Sequence, residues 1–559
     1  MNCFNAVRHS VLLLKFSFPP VILMAVFAYY IGQAQAATAL PPSPGAVQDS
    51  VQDRRSPEVS SPAQIVFTSE DSAENSEETT DTTKRFLVSG FTFTGNTVFK
   101  EFELRTVTEQ YLDLQLTLEE IDRIAAKITA IYRREGYTVA RAFVPAQRVE
   151  DGLVTIQIIE GQISNTSFKG QWRYRKNFLQ PYFDDFIRNK DGQLVTDAGM
   201  ERQLLLLNDL PGLKARATLI PGEKFGTTDV DVELKEKLFD AFLGFSNPGT
   251  KETGENRIDA GASVNNPFTL GDQLTLRALQ STDDLFKYQR VGYSFPIGSD
   301  GIRLALSTLT TDYKLGGNFA ALDISGKVRS SDITISYPYM RTRSQNIIGA
   351  LQFRRTSTQQ NVLGVPFASS SLPLAVASVY SNWVHEDSSA TSLNMAYSTN
   401  MWRNGSVAGQ DHVASKVDAE VTHLTGATRY WDFYFRGQGV YSASALPDTE
   451  KFSLGGSESI RGYPTAQVRG DGGYLVTMEL RRQWRLASVP GYISVFADTG
   501  GVKNKGFTGT DRLSSIGAGL VFYLGNYGRF KAEYAIPTMD DKATDGKNGR
   551  LWFNLNFSY

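Results

Sequence analysis

The chain has 559 residues, 57 Lys and Arg against 59 Asp and Glu, a formal net charge of −2 and one cysteine, Cys3. So even a balance excludes the global basic bias that would draw a protein to nucleic acid, and one cysteine excludes a disulfide framework. The length accommodates two to four domains.

Arg8 and Lys15 precede an apolar run from Val21 to Ile31, and Ala34-Gln35-Ala36 then supplies the small residues a signal peptidase accepts. Residues 1–36 therefore read as a secretory signal peptide. An uncleaved anchor is the competing reading, but Pro19-Pro20 interrupts the stretch, and what remains falls short of the about 20 apolar residues a membrane helix needs. Beyond residue 36 there is no run of about 18 apolar residues, so a bilayer crossing would have to be made by strands of a closed barrel.

Residues 37–84 form a Pro-rich and then acidic segment. Pro41, Pro42, Pro44, Pro57 and Pro62 are followed by Glu70, Asp71, Glu74, Glu77, Glu78 and Asp81 with no basic residue among them. Such a stretch buries too little apolar surface to offset its ordering entropy and reads as a flexible lead.

From 85 to 161 the order is strand, helix, helix, strand, strand. Phe86 to Thr94 is the first strand, with Gly95-Asn96 as its turn. Thr117 and Glu120 form a capping box, and Ile121, Ile124, Ala125, Ile128 and Ile131 recur at helical spacing until Gly136. Extended runs at Tyr137 to Val144 and Leu153 to Ile159 bracket a turn with Pro145 and Asp151-Gly152. The order returns over 162–238, with Ile163 to Phe168, a helical Met200 to Asn208, a Pro211-Gly212 turn, Leu213 to Ile220 and Thr228 to Leu234. A repeat of roughly 75 residues marks two small α+β modules in series.

From 239 to 559 apolar and polar residues alternate. Ile258, Ala260, Ala262 and Val264 interleave with Asp259, Gly261, Ser263 and Asn265, and Leu551, Phe553, Leu555, Phe557 and Tyr559 with Trp552, Asn554, Asn556 and Ser558. Period two with one apolar face, in runs of about 10 residues, suits a transmembrane strand. About sixteen such runs fit the region at porin-like spacing, whereas a soluble sandwich would space its strands at about 8 to 12 residues. The predicted fold is thus mainly β: a sixteen-stranded antiparallel barrel preceded by two α+β modules.

Leu454-Gly455-Gly456-Ser457-Glu458-Ser459-Ile460-Arg461-Gly462-Tyr463 resembles the Leu-Gly-Gly…Val-Arg-Gly-Tyr signature of the long sixth extracellular loop in two-partner secretion transporters. These are the TpsB-type haemolysin and filamentous-haemagglutinin exporters, the haemolysin secretion/activation family of the POTRA-barrel insertase superfamily. Val495-Phe496-Ala497-Asp498-Thr499-Gly500 resembles the family's Phe-x-Asp-x-Gly strand, and Asp471-Gly472-Gly473-Tyr474 leading to Glu479-Leu480-Arg481 fits the strand between them. Tyr132-Arg133-Arg134-Glu135-Gly136-Tyr137 with Phe143-Val144-Pro145-Ala146-Gln147 resembles the first POTRA module. Leu207-Asn208-Asp209-Leu210-Pro211-Gly212, Pro221-Gly222 and Gly226-Thr227-Thr228-Asp229 resemble the second. The resemblance covers nearly everything after residue 85.

It implies an outer-membrane translocator whose modules sit in the periplasm, capture a large unfolded haemolysin- or adhesin-like exoprotein, and pass it through the barrel. Loop 6, at 453–473, would fold into the lumen. Alternation on the predicted thirteenth strand turns Ile493, Val495 and Ala497 to lipid and Tyr492, Ser494, Phe496 and Asp498 to the lumen, where a carboxylate needs a cation or water. The resemblance pairs Arg461 with Asp498. Beside Arg461 the candidate residues are Gly462, Tyr463, Gly455 and Gly456 on the loop, Phe496 and Gly500 on the wall, and Glu479 in the lumen. Tyr137, Pro145, Gln147, Pro211 and Gly212 are candidates in the modules, either structural or cargo-binding. The family's amino-terminal plug helix is at odds with the prolines of 37–63, leaving at most a short plug around Ala46 to Arg55.

No enzyme is expected. His385, His412 and His423 are the histidines left after the signal, and there is no His-Glu-x-x-His helix, no Gly-x-Ser-x-Gly elbow and no phosphate loop. His385-Glu386-Asp387 reads as a loop cluster more than a metal site. No cofactor, no nucleic acid and a monomer are expected, with an exoprotein and the lipid bilayer as partners. An assembly insertase and a passive porin-like channel are the alternative functions. The two modules and the Arg-Gly-Tyr loop weigh against the channel, and a count of two modules against the insertase.

Overall fold

A computed structural model of the chain describes residues 41–51, 85–400 and 414–559, apart from 138, 150, 171–172, 189–195, 224–226, 429, 487, 526 and 540–542. The signal read at 1–36, the acidic run and His412 lie outside the described residues.

The first described element is a short helix, α1 (Pro44–Asp49). Its prolines do not oppose it: Pro44 occupies the first helical position, where the missing N–H has no partner to lose, and the Ser43 hydroxyl caps Ala46 N.

Module 1 holds β1 (Arg85–Val88), β2 (Gly90–Thr94), α2 (Glu101–Thr108), β3 (Leu114–Thr117), α3 (Leu118–Arg134), β4 (Arg141–Phe143) and β5 (Leu153–Ile159). The single strand read from Phe86 to Thr94 is in fact two. β1 pairs antiparallel with β3 while β2 pairs parallel with β5, and the chain changes sheet at Ser89, whose N–H bonds to Gly152 O. The strand read from Tyr137 to Val144 shrinks to three residues, because Tyr137 N bonds back to Tyr132 O at the end of α3 and Ala140 N to Tyr137 O in the turn that follows. The Thr117 cap is reciprocal, with Glu120 N donating to Thr117 Oγ1 at 3.2 Å and Thr117 N to Glu120 Oε2 at 2.7 Å. The apolar face of α3, with Ile121, Ile124, Ala125 and Ile128, packs on Val154, Ile156 and Ile158.

Module 2 holds β6 (Gln162–Lys169), α4 (Lys176–Leu179), α5 (Pro181–Arg188), α6 (Asp197–Asn208), β7 (Leu213–Pro221) and β8 (Thr227–Glu236), in a sheet ordered β6-β8-β7. Helices α4 and α5 are additional to the single helix expected in this module, and their Leu179, Tyr182 and Phe183 are spaced for one buried helical face and form part of the module's core.

Sixteen strands, from β9 (Phe239–Ser246) to β26 (Arg550–Ser558), then close into an antiparallel barrel. Exposed apolar side chains mark the lipid face, among them Ile258, Leu351, Phe353, Ile493, Val495 and Leu551. The strands β14 (Ser325–Arg341), β15 (Gln345–Val362) and β16 (Val365–Val384), at 17, 18 and 20 residues, outrun the about 9–11 that cross a bilayer, so the β15–β16 hairpin stands beyond the membrane on the side away from the modules. The seam between β26 and β9 is short. It spans five register pairs, against fifteen between β22 (Gly472–Leu486) and β23 (Val489–Lys503).

Candidate lumenal gate

Loop 6 joins β19 (Trp431–Ser442) to β22, so it begins well before residue 453. The extra length carries a 3-10 turn, Asp448–Glu450, and the loop proper forms a hairpin of β20 (Phe452–Leu454) with β21 (Val468–Gly470). Phe452, Leu454, Ile460 and Tyr463 are buried against Val440, Leu475, Val502 and Leu513 of the wall. A loop that carries its own apolar core is seated, not draped.

Gly455 and Gly456 turn the chain with φ of 105° and 108°, backbone that an L side chain resists, and Gly456 N then bonds to Tyr463 O at 3.0 Å. That turn sets Arg461 facing β23. Its Nε and Nη2 make a fork on Asp498 at 3.0 and 2.9 Å, its backbone N adds a third bond at 3.2 Å, and Ser515 Oγ donates to the same carboxylate at 3.2 Å. The guanidinium carbon lies 3.2 Å from the centroid of the Phe496 ring, and Trp552 Nε1 donates to Arg461 O at 2.7 Å. Two further carboxylates share the cation, Glu533 at 2.6 Å and Glu479 at 3.5 Å. Each has its own second cation, Lys531 at 2.8 Å and Arg481 at 3.1 Å. Three cations thus meet three carboxylates in a setting where Arg461 and Asp498 are 4 and 1 % exposed. Burial without such pairing would cost several kcal/mol per ion, so the network stands or falls as a unit.

Sequence reasoning named Arg461, Asp498, Phe496 and Glu479, quoted Arg481 within a strand motif without a role, and missed Glu533 and Lys531. Glu533 and Lys531 sit on β25 (Gly528–Pro537), two strands from Asp498, where no local motif announces them. Gly462 is packed against Ser515 and Pro537, at a place where a Cβ would lie 2.8 and 2.9 Å from their atoms. Gly500 is equally crowded by Leu454 and Tyr474.

Farther from the modules α1 lies inside the barrel. Val47 and Val51 pack among Leu279, Phe286, Tyr288, Tyr313 and Val328. Asp448 of loop 6 receives Gly45 N at 2.7 Å and the Ser43 hydroxyl at 3.0 Å. Arg469 of the same loop bonds to Asp448 and reaches Asp49 at 3.1 Å. At the other end Arg257, fully buried and stacked 4.1 Å over Phe286, donates to Ser50 Oγ at 2.8 Å. An anion at the amino end and a cation at the carboxyl end are what the helix dipole favours. Between loop 6 and the module side is a polar chamber of about 1030 Å³, lined by Arg277, Arg436, Glu458, Arg481 and Lys531 among others.

The module candidates take backbone-ordering positions. Gln147 spans Thr155 N and O at 2.8 and 2.7 Å, Tyr137 packs edge-on against Tyr132, and Pro145 is half-buried in the turn after β4. Pro211 O accepts from Tyr174 Oη at 2.7 Å, and Gly212, at φ 67°, accepts from Lys237 N at 2.7 Å. His385 and His423 both bond to Thr391 Oγ1 at 2.9 Å, and among the described residues no three His, Cys, Asp or Glu side chains gather as a metal site.

Comparison with known proteins points one way. The family described as haemolysin secretion/activation protein ShlB/FhaC/HecB matches residues 226–522, and a ShlB-type POTRA domain matches 86–161. The heme/hemopexin transporter protein HuxB of Haemophilus influenzae is 24% identical over 480 residues, 81% of this chain and 83% of the relative. The outer membrane transporter CdiB of Dickeya dadantii is 24% identical over 423 residues, 72% and 73% of the two chains. Among solved structures, CdiB from Escherichia coli superposes with a TM-score of 0.69 at 17% identity over 89% of this chain and 94% of that one. BamA from Haemophilus ducreyi shares the fold at a TM-score of 0.52 and 15% identity, over 85% of this chain and all of the other.

Proposed function

We infer from the chain's place in the haemolysin secretion/activation family ShlB/FhaC/HecB, to which it belongs, that it is an outer-membrane exporter of a large partner protein. The barrel lies in the outer membrane, the modules in the periplasm, and the signal read at residues 1–36 delivers the chain there. The observation that carries the reading is the buried Arg461 network: a conduit closed by its own loop, held to the wall by three carboxylates, is built to be opened. A passive porin has no use for such a closure, and the BamA likeness extends to fold alone.

The modules capture the exoprotein in extended form. β7 lies at the edge of its sheet, so its outer backbone groups suit strand addition by a passing segment, with Ile220 exposed beside them. The captured chain displaces loop 6 and α1, crosses the lumen and folds outside, and that folding supplies the drive. One chain closes the barrel by itself, so a monomer suffices, and we assign it no catalytic role.

The test is planar-bilayer conductance of wild type, Arg461→Ala and Asp498→Ala, paired with surface release of the exoprotein co-expressed with each. Removing one partner of a buried pair costs about 3–5 kcal/mol, less where lumenal water reaches the survivor. Both variants should gate differently from wild type and release should fall sharply. Unaltered gating together with unaltered release would remove the latch, and a wild type that forms no channel would put the insertase reading ahead.

A further inference from the structure

Module 2 does not hang from the barrel by its linker alone. Arg341, at the end of β14, makes a two-bond fork on Asp209 at 2.8 and 2.7 Å and turns its third nitrogen to Asn346 at 2.7 Å. The guanidinium side chain is 7 % exposed. Next to it Arg343 N donates to Glu201 at 2.6 Å, and Arg202 donates to Pro338 O at 3.1 Å. Arg173 reaches the turn after β10 (Arg257–Asn265), with Nε on Asn266 O at 3.0 Å.

Glycines let the surfaces close. A Cβ on Gly271 would lie 2.6 Å from Phe178, and one on Gly301 2.6 Å from both Leu206 and Pro338. These contacts spread over three successive turns on the module side, those following β10, β12 (Phe286–Ile297) and β14. A hinge would be expected to touch at one point; three separated points of attachment define a plane and leave no rotation.

We propose that module 2 is a fixed collar, clamped by Arg341 onto one side of the barrel rim, which does not swing relative to the barrel of the resting protein. The proposal rests on the export reading for its meaning. With the collar over the turns of strands β10 to β15, the exported chain passes on the side of β16 to β26, and gating motion falls to loop 6 and α1. Arg341 is a positioning residue: its planar fork fixes an orientation that a lysine's point charge would not.

The test is the distance distribution between spin labels at Lys214→Cys on β7 and Glu386→Cys on the turn after β16, in a Cys3→Ser background, on the full chain in proteoliposomes. Wild type should give one narrow distance, and Arg341→Gln or Asp209→Asn should add a second, longer component. Heat-dependent gel mobility shows in each variant that the barrel itself is folded. Two well-separated distances in wild type overturn the collar, and a narrow distance in both variants overturns the clamp. No exported protein is present in this measurement, so its failure leaves the export reading standing, and loss of that reading leaves the collar as measured.

Discussion

Arg461 is held as much by what surrounds its partner as by the partner. The Phe496 ring that supports the guanidinium has its room because residue 517 is glycine: a Cβ there would run into the ring and into the Tyr534 carbonyl. Gly517→Leu should therefore push Phe496 toward Arg461 and loosen the latch without touching any charge. The expected result in planar bilayers is a gating change in the same direction as Arg461→Ala but smaller. Unchanged gating would mean that the ring is not what orients the cation.

Helix α3 shows how an element is stabilised at its ends. Thr117→Ala removes the cap at a cost of about 1 kcal/mol, and it should speed amide exchange in the first turn of α3 in the full chain. Acid should act at the same place. The Thr117 backbone N–H, and secondarily the Thr117 hydroxyl and Arg85, hold the Glu120 carboxyl below its ordinary 4.5. A carboxyl lowered in the folded state contributes stability above 4.5 and loses it as pH falls through the folded value. Protection at that helix end, taken relative to the intrinsic exchange rate at each pH, should accordingly fall below pH 4.5 in wild type and less so in Thr117→Ala, where one of the two reciprocal bonds is already gone. Helix α1 is a contrast. At six residues it is too short to persist alone in water and depends on its clasp.

At the scale of the molecule, that clasp couples two parts far apart in sequence. Arg469 and Asp448 belong to loop 6, Asp49 and Ser43 to the amino-terminal segment, and one guanidinium serves both. Arg469→Ala should free α1 and weaken the seating of loop 6 together. The expected outcome is a higher open probability at zero salt gradient, with Asp49→Asn showing the same sign at smaller size. An α1 that stays docked in Arg469→Ala, read as unchanged conductance, would leave Val47 and Val51 as its real anchors.

Much of this was legible in one dimension. Alternation of apolar and polar residues is a local property that any lipid-facing strand must show, so the sixteen strands and the side of β23 that carries Asp498 could be read before any coordinate. The Thr117–Glu120 cap and the spacing of Ile121, Ile124 and Ile128 were legible because a helix end and a helix face are written within a few residues. The split of Phe86–Thr94 between two sheets was not, because strand partners are chosen across the module. Helix α1 was legible at most as a short plug around Ala46 to Arg55, since Pro44 reads as a breaker until its place at the first turn is known. Glu533, Lys531 and the Arg341 clamp depended on which strand lies beside which, whereas Arg481 stands two residues from Glu479 on one strand face. Local periodicity and caps arise from short-range sterics and hydration, which the sequence carries by itself. The meeting of Arg461 with Asp498, Glu479 and Glu533 is decided by barrel closure and the seating of loop 6, which bring together residues that no spacing along the chain relates.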